Sequence, residues 1–318
     1  MSLHVVFGAG QIGAALARSL AAAGHSVRVV RRSERPVGPG IEVMAGDAMD
    51  PAFATRACQD ARVIYHCMNP SAYEAAAWQD EFPRQGRALI QAALSSGALL
   101  VCLDNLYGYG IAERRTEDSP MAATGPKGKV RVEWDATLRG TPGLRFAVGR
   151  AGDFFGPGTG DQSLFSPRTV ASIRQGGTAW LVGDVQAVHA FRYVPDVVAG
   201  LKALGEAEVE GVFHLPVVEV APAELVAKLG AAAGARARAR ALPGWAVSAL
   251  APFVPLMREL KETLYQWDRP FRVDDARFRA RFPGFATSLD EAVRATVAAV
   301  QAPHRLAARS QFGANVNG

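Results

Sequence analysis

The chain has 318 residues, of which 49% are hydrophobic and 20% are charged, so it can bury a full core and intrinsic disorder is excluded. Its formal net charge of +5 suits attraction to small anions. A nucleic-acid-binding domain usually concentrates positive charge far more strongly, so we expect no nucleic-acid partner.

Short β-branched runs alternate with longer helical patterns through the first half of the chain. The predicted strands are 3–8, 26–30, 41–46, 62–67, 99–104 and 144–150. The predicted helices between them are 11–23, 50–59, 74–97 and 127–139. Strand–helix alternation of this kind indicates a parallel sheet covered on both faces, so we predict an α/β fold.

After about residue 151 the pattern changes to Gly- and Pro-rich loops with shorter elements. We therefore predict a sheet domain over 1–150 and a smaller mixed, mostly helical lobe over 151–318, which can interleave with the sheet. Within the lobe, the arginine-rich run 236–240 is expected to be solvated. The apolar run 245–257 is too short to span a bilayer and contains two prolines, so we expect a lid or a helix-packing segment and no membrane partner.

The cysteines bear on the cellular compartment. Cys58, Cys67 and Cys102 show neither metal-ligand spacing nor a disulfide framework. This pattern favours reduced thiols, no metal site and a cytoplasmic protein. A strand is predicted from about Leu3, so we expect no leader peptide.

The first predicted strand runs directly into a glycine motif. Gly8, Gly10 and Gly13 follow the strand and open an Ala/Leu-rich helix, with a second strand about 20 residues on. In this context the glycines allow a tight turn, a close approach of the backbone to a pyrophosphate, and close packing of the helix on the strand. We predict that this turn, including Gln11 and Ile12, binds a dinucleotide, and that the sheet is a Rossmann-type doubly wound parallel sheet.

The end of the second strand indicates which dinucleotide. An NAD enzyme usually places an acidic residue there, whereas this chain has Arg31 followed by Arg32. A guanidinium can bind a 2′-phosphate, so NADP(H) is preferred in this interpretation to NAD(H). The alternative is two arginines that merely end a strand in solvent. Asp47, after the third strand, lies either near the adenine edge or in a turn.

Several further segments occur in a familiar order. They are GDAMDPAFATRACQDARVIYHC, LDNLYGYG, TEDSP, RAGDFFGPG and VGDVQAVHAFRYVPDVVAG. Together with the glycine motif they resemble the extended short-chain dehydrogenase/reductases, the NAD-dependent epimerase/dehydratase family, over nearly the whole chain. The resemblance implies hydride exchange with a nicotinamide, assisted by a serine or threonine, a tyrosine and a lysine.

The matched positions depart from that trio. Asn105 stands at the serine position, and Lys129, with Glu133 after it, at the lysine position. Gly125 then stands where the resemblance implies a tyrosine, and shifting the register to Lys127 does not restore it. Three residues can supply a substitute acid: Tyr107, Tyr109 and Lys129 itself. For the tyrosines the alternative is a packed aromatic, and for Lys129 it is binding the nicotinamide ribose.

Two more departures concern the substrate. His189 replaces an arginine that the resemblance implies for a sugar-nucleotide diphosphate, and Asp153 replaces an asparagine. Both changes favour a smaller or less anionic substrate. Arg192 can supply the missing cation only from the other side of its strand.

These observations predict an NADP-dependent oxidoreductase that acts on a small carbonyl or hydroxyl compound. Two other interpretations stay open: a nucleotide-sugar epimerase or dehydratase, and a catalytically silent NADP(H) sensor of the NmrA-like type. The resemblance also implies a homodimer, paired through helices 74–97 and 127–139.

Overall fold

The computed structural model describes residues 2–242, 245 and 262–300. Its strands are β1 (Leu3–Phe7), β2 (Ser26–Arg31), β3 (Ile41–Ala45), β4 (Ala61–His66), β5 (Leu99–Asp104), β6 (Arg114–Arg115), β7 (Phe146–Arg150), β8 (Phe154–Phe155), β9 (Thr178–Val182), β10 (His189–Tyr193), β11 (Gly211–His214), β12 (Val218–Val220), β13 (Arg238–Leu242) and β14 (Arg272–Val273). Its helices are α1 (Gln11–Ala22), α2 (Pro51–Ala57), α3 (Ala75–Ser96), α4 (Pro126–Gly140), α5 (Pro167–Arg174), α6 (Val194–Glu206), α7 (Pro222–Ala232), α8 (Ala276–Arg281) and α9 (Leu289–Ala299). Single 3-10 turns lie at Tyr107–Tyr109 and Leu264–Gln266.

Seven of the described strands form one parallel sheet, in the order β11-β7-β5-β4-β1-β2-β3. The strand order reverses at β1: β2 and β3 lie on one side of it, and β4, β5, β7 and β11 lie on the other. In open sheets of this kind, ligands bind outside the carboxyl ends of the strands at such a point. The predicted Rossmann-type sheet is confirmed, and each predicted strand and helix of the first half is present within two residues of its predicted bounds.

Both faces of the sheet carry helices because its strands are apolar on both sides. In β1, Val5 and Phe7 belong to one core cluster while Val6 belongs to the other, as expected for alternate residues of a strand. Helices α2, α3 and α4 cover the first face and contribute large side chains such as Trp78 and Trp134. Helices α1 and α6 cover the second face. The two layers fix where the strand ends, and therefore the site, must lie.

The chain after residue 150 both builds small sheets of its own and returns to the main one. Strands β12, β10 and β8 form a three-stranded sheet, whereas β13 pairs with β9, and β14 with β6. Helix α6 packs against α1, and β11 adds to the edge of the main sheet beside β7. The arginines of 236–240 alternate with half-buried alanines and are exposed, so this run is solvated as expected.

The apolar run 245–257, except for the exposed Trp245, lies outside the described residues. Within the part of the chain that the structure describes, no helix combines the length and apolarity needed to cross a bilayer.

Candidate active site

The turn between β1 and α1 leaves the N-terminus of α1 open. Gly8 has a φ of +98°, which disfavours any side chain, and a Cβ atom on Gly13 would lie 2.0 Å from the carbonyl oxygen of Gly8. Gly10 caps the helix without a side chain, and among the described residues nothing lies within 4 Å of the place of its Cβ atom. The free N–H groups and the positive end of the helix dipole suit an anionic group such as a phosphate.

The other two residues of this turn have different environments. The Gln11 side-chain oxygen accepts a hydrogen bond from the Gly160 N–H at 2.5 Å, so it ties the loop after β8 to the start of α1. Ile12 is 3% exposed and packs into the core below the turn. Ile12 can therefore offer only its backbone to a ligand.

At the end of β2, Arg31 is half-buried and Arg32 is exposed. Arg31 donates from Nη1 to the carbonyl oxygen of Arg35 at 3.1 Å, while its buried Nε has no partner among the described residues. Asp47, after β3, is exposed, and its carboxylate accepts the Met49 N–H at 2.9 Å. That contact is the one expected of a turn residue.

The N-terminus of α4 is capped by a residue from far along the chain. The Gly125 N-cap offers no side chain, but Glu262 Oε1 accepts the backbone N–H groups of Lys127 at 2.8 Å and Gly128 at 3.3 Å. Glu262 Oε2 lies 3.1 Å from Lys127 Nζ, and the Lys127 side chain is fully buried. A carboxylate at this end of a helix satisfies free N–H groups and the helix dipole together.

The same carboxylate occupies the space in front of Gly125. A Cβ atom on Gly125 would lie 2.5 Å from Glu262 Oε1 and 2.7 Å from its Cγ. The backbone of Gly125, with φ −71° and ψ 156°, is open to any residue type. The Glu262 side chain, rather than the backbone conformation, therefore excludes a side chain here.

The structure brings Lys127, and not Lys129, into this group. Lys129 and Glu133 are exposed, whereas Lys127 and Arg131 are buried on the side of α4 that faces the sheet. Two residues along a helix differ by about 200° around its axis, so Lys127 and Lys129 point in nearly opposite directions. The Lys-x-x-x-Glu pattern thus lies on the solvent side of the helix.

Tyr73 lies beside Lys127, and Tyr107 lies beside Tyr73. The Tyr73 and Tyr107 hydroxyl oxygens are 2.8 Å apart, and Lys127 Nζ lies 4.6 Å from the centre of the Tyr73 ring. The side-chain oxygen of Asn105 accepts the Tyr107 backbone N–H at 3.0 Å, which positions the turn after β5. Burial raises the pKa of Tyr73, and it raises the pKa of Tyr107 well above 10. Both phenols are therefore weaker acids than a free tyrosine.

Buried ion pairs hold α4 against the strand ends behind these tyrosines. Asp104, at the end of β5, lies 3.0 Å from Arg131 Nη1 and 3.4 Å from Arg150 Nε. Arg150 Nη2 also lies 2.6 Å from Asp135 of α4. Removing one partner of such a network leaves an uncompensated buried charge, so these residues are needed for structure.

Tyr109 is fixed in a separate chain of hydrogen bonds. Arg150 Nη1 donates to the Tyr109 hydroxyl at 2.5 Å, and that hydroxyl lies 2.7 Å from His214 Nε2. His214 Nδ1 lies 2.6 Å from the carbonyl oxygen of Asp274, so Nδ1 carries the proton and Nε2 accepts. Burial lowers the pKa of His214 from 6.5 to about 3, which keeps the ring neutral. The hydroxyl proton of Tyr109 is therefore committed to His214.

Asp153 and His189, both predicted at the substrate end, are in contact with each other. His189 Nε2 is 3.0 Å from the Asp153 carboxylate, and His189 Nδ1 is 3.1 Å from the carbonyl oxygen of Gln266. The His189 ring also stacks on Trp267, with centroids 3.9 Å apart. Both ring nitrogens therefore already face acceptors.

Arg192 lies on the face of β10 opposite to His189. It is fully buried, and Nη1 donates to the carbonyl oxygen of Ala190 at 3.2 Å, while Nε and Nη2 have no partner among the described residues. Burial lowers its pKa to about 10. The structure does not bring it to the side of β10 on which His189 lies.

The sequence profile of the NAD-dependent epimerase/dehydratase family matches residues 4–215. The chain belongs to this family. No curated protein matches the chain.

Solved structures of similar fold cover almost the whole chain. One is the enzyme WbmH of Bordetella bronchiseptica in complex with NAD+, with 20% identity, a TM-score of 0.72, and 94% of this chain and 98% of that one covered. Another is the UDP-glucuronic acid 4-epimerase of Bacillus cereus in complex with NAD, with 15% identity, a TM-score of 0.74, and coverage of 94% and 98%. A third is DesIV, the dTDP-glucose 4,6-dehydratase of Streptomyces venezuelae with NAD and TYD bound, with 21% identity, a TM-score of 0.73, and coverage of 94% and 96%. At these identities the likeness is one of fold.

Within this epimerase/dehydratase family member, the structure adds residues that the sequence motifs did not indicate. Glu262 and Tyr73 lie outside the motif segments quoted from the sequence, and only folding brings them to α4. Lys127 was open to detection, because it continues the buried stripe of α4 formed by Val130, Trp134 and Leu138 at helical spacing.

Proposed function

We propose that this protein is an oxidoreductase that binds NADP(H) in preference to NAD(H) and transfers hydride to or from a small carbonyl or hydroxyl compound. The observation that carries the proposal is the uncapped α1 N-terminus behind Gly8 and Gly13, whose backbone positions exclude side chains. Membership of the family and the NAD bound in similar structures support the same class of cofactor.

The residues present fit a phosphorylated dinucleotide. The backbone of the glycine turn would hold the pyrophosphate. Arg31 and Arg32 would hold the 2′-phosphate, and the unpartnered Nε of Arg31 leaves it a donor for this purpose. Lys127, rather than Lys129, would hold the ribose hydroxyls at the nicotinamide end, because it is the buried lysine of α4. When bound, the nicotinamide supplies the hydride acceptor or donor.

The substrate end favours a small neutral compound. A nucleoside-diphosphate sugar needs a cation that is free to bind its phosphates. His189 already faces acceptors on both ring nitrogens, and Asp153 adds a carboxylate 3.0 Å away. Arg192 is buried on the other face of β10. These contacts support an aldehyde, a ketone or the corresponding alcohol as the substrate class.

The second candidate is a nucleotide-sugar epimerase or dehydratase. The favouring observation is that two of the similar structures are the UDP-glucuronic acid 4-epimerase and the dTDP-glucose 4,6-dehydratase. The sensor interpretation is favoured by Gly125, which leaves the usual proton donor absent.

One experiment distinguishes the three candidate functions. Purified protein is incubated with NADPH and a panel of aldehydes and ketones, and separately with UDP-glucuronic acid or dTDP-glucose in the presence of NAD+ or NADP+. NADPH oxidation by members of the panel is the expected result. Conversion of a sugar nucleotide without net cofactor oxidation would replace the proposal with the second candidate. Tight NADPH binding with no turnover of either set would leave the sensor.

A further inference from the structure

Glu262 places a carboxylate beside the buried Lys127 at the N-terminus of α4. Its side chain is 16% exposed, so it is reachable, whereas the Lys127 side chain beside it is fully buried. Oε1 is held by two backbone N–H groups of α4, and Oε2 faces the Lys127 ammonium at 3.1 Å. A carboxylate oxygen has two lone pairs, so Oε2 keeps one for a further partner.

The position of this carboxylate is the second observation. It fills the volume into which a side chain at Gly125 would project, since a Cβ atom there would lie 2.5 Å from Oε1. With Lys129 at the lysine position, the family resemblance implies the proton-transferring tyrosine at Gly125; with the buried Lys127 there, it implies the tyrosine at Ala123. Neither register supplies a tyrosine, and the Glu262 carboxylate is an acid/base group at the N-terminus of α4, next to Lys127.

The described tyrosines serve this role poorly. Tyr73 and Tyr107 donate to or accept from each other at 2.8 Å, and burial raises the pKa of both. Tyr265 is half-buried, burial raises its pKa, and its hydroxyl accepts a hydrogen bond from Gln266 Nε2 at 3.2 Å. Tyr109 is committed to His214.

We propose that Glu262 is the proton-transferring residue of this site, at the N-terminus of α4 and with Lys127 as its charge partner. This inference rests on the proposed oxidoreductase function. In the direction of alcohol oxidation, Glu262 Oε2 accepts the substrate hydroxyl proton while the carbinol C–H bond gives its hydride to the oxidised nicotinamide and the C=O bond forms. The carboxylic acid then returns the proton to water. In the direction of reduction, the acid form donates that proton to the developing alkoxide.

The first test uses Glu262→Gln, which keeps the Oε1 acceptor for the helix N–H groups but cannot carry the proton. Its matched control is Glu224→Gln, because Glu224 is an exposed glutamate in the first turn of another helix, α7. NADPH binding by fluorescence, the melting temperature and kcat with the best panel substrate are measured for each. We expect Glu262→Gln to bind NADPH normally and to lose kcat by about a hundredfold or more, while the control keeps all three values.

The second test separates proton transfer from helix capping. In Glu262→Ala, added formate should restore part of kcat because a small carboxylate can enter the emptied volume, whereas chloride at the same ionic strength should not. A merely structural role predicts no rescue.

Turnover of Glu262→Gln within about threefold of the unaltered protein overturns the proposal and leaves the oxidoreductase function standing. Loss of NADPH binding in Glu262→Gln, or no formate rescue of Glu262→Ala, overturns it as well. If the unaltered protein binds NADPH but turns over no panel compound, the oxidoreductase function and this proposal fall together.

Discussion

The Glu262 carboxylate occupies the volume that a side chain at Gly125 would need: a Cβ atom on Gly125 would lie 2.5 Å from Glu262 Oε1. The contact also fixes the start of α4, because the same oxygen accepts the Lys127 N–H at 2.8 Å. The identity of residue 125 and the position of residue 262 are therefore coupled. A change at either one is felt at the other.

The coupling predicts the effect of placing a tyrosine at residue 125. Gly125→Tyr alone overpacks the contact and should destabilise the protein by about 1–3 kcal/mol. Combined with Glu262→Ala, the tyrosine has room, so the double variant should be more stable than the sum of the single changes predicts. Urea unfolding of the four proteins checks this. Additive free energies would contradict it.

Tyr109 should prove structural. Its hydroxyl accepts from Arg150 and donates to His214, so Tyr109→Phe leaves two buried groups without a partner. We expect a loss of about 1–3 kcal/mol in the free energy of unfolding with kcat unchanged within about twofold. Denaturant unfolding and turnover of the same preparation test both parts. A large fall in kcat in a variant as stable as the unaltered protein would instead support the proton relay that the sequence left open.

Buried neutral histidines predict how stability changes with pH. Burial lowers the pKa of both His66 and His214 from 6.5 to about 3, and that of His4 to about 4. As the pH falls, the unfolded chain therefore binds protons that the folded chain does not. The stability that these neutral histidines contribute is complete above pH 6.5 and is lost as the pH falls towards their folded-state pKa values. Between pH 6.5 and 5, each should cost up to about 1.4 kcal/mol per pH unit.

The test compares urea unfolding of the unaltered protein and of His214→Asn at pH 7, 6 and 5. The free energy of unfolding should fall in both, and less steeply in the variant because one proton-binding site is gone. Parallel slopes would show that His214 does not carry this dependence.

The sequence predicted the sheet well because its signals are local. β-branched runs, helical spacing and the glycine turn each lie within one βα unit, so strands β1 to β5 and helices α1 to α4 could be placed from short windows. The strand β11 was not predicted, because four residues, Gly211–His214, carry too little pattern to distinguish an added edge strand from a loop.

The sequence can indicate only those parts of the candidate site that lie within single turns. The Glu262 contact joins residues 135 positions apart, and no local pattern indicates it. Lys129 was predicted from the Lys-x-x-x-Glu spacing, whereas the buried stripe of the same helix includes Lys127 and not Lys129. The contact of Asp153 with His189 likewise depends on the pairing of β8 with β10, which the sequence does not specify.

Arg31 should determine the choice between the two dinucleotides. In Arg31→Asp, a carboxylate replaces a guanidinium that we place against the 2′-phosphate, so the ratio of NADPH to NADH affinity should fall by roughly ten- to a hundredfold, as expected for about 1.5–3 kcal/mol. Arg240→Asp, at an exposed arginine of β13, is the control for net charge. Equal ratios in the unaltered protein and in Arg31→Asp would show that Arg31 does not contact the phosphate.

Dinucleotide binding depends most on the glycine turn, and titration of the unaltered protein and of Gly10→Ala with NADPH tests this directly. Gly10 has an ordinary φ of −75°, and among the described residues its Cβ atom would meet nothing within 4 Å, so the variant should fold normally. The added methyl group would lie where we place the pyrophosphate. We expect saturable NADPH binding to the unaltered protein, and binding weakened by at least about tenfold in Gly10→Ala at an unchanged melting temperature. No detectable NADPH binding to the unaltered protein, or equal binding to both proteins, would contradict the account.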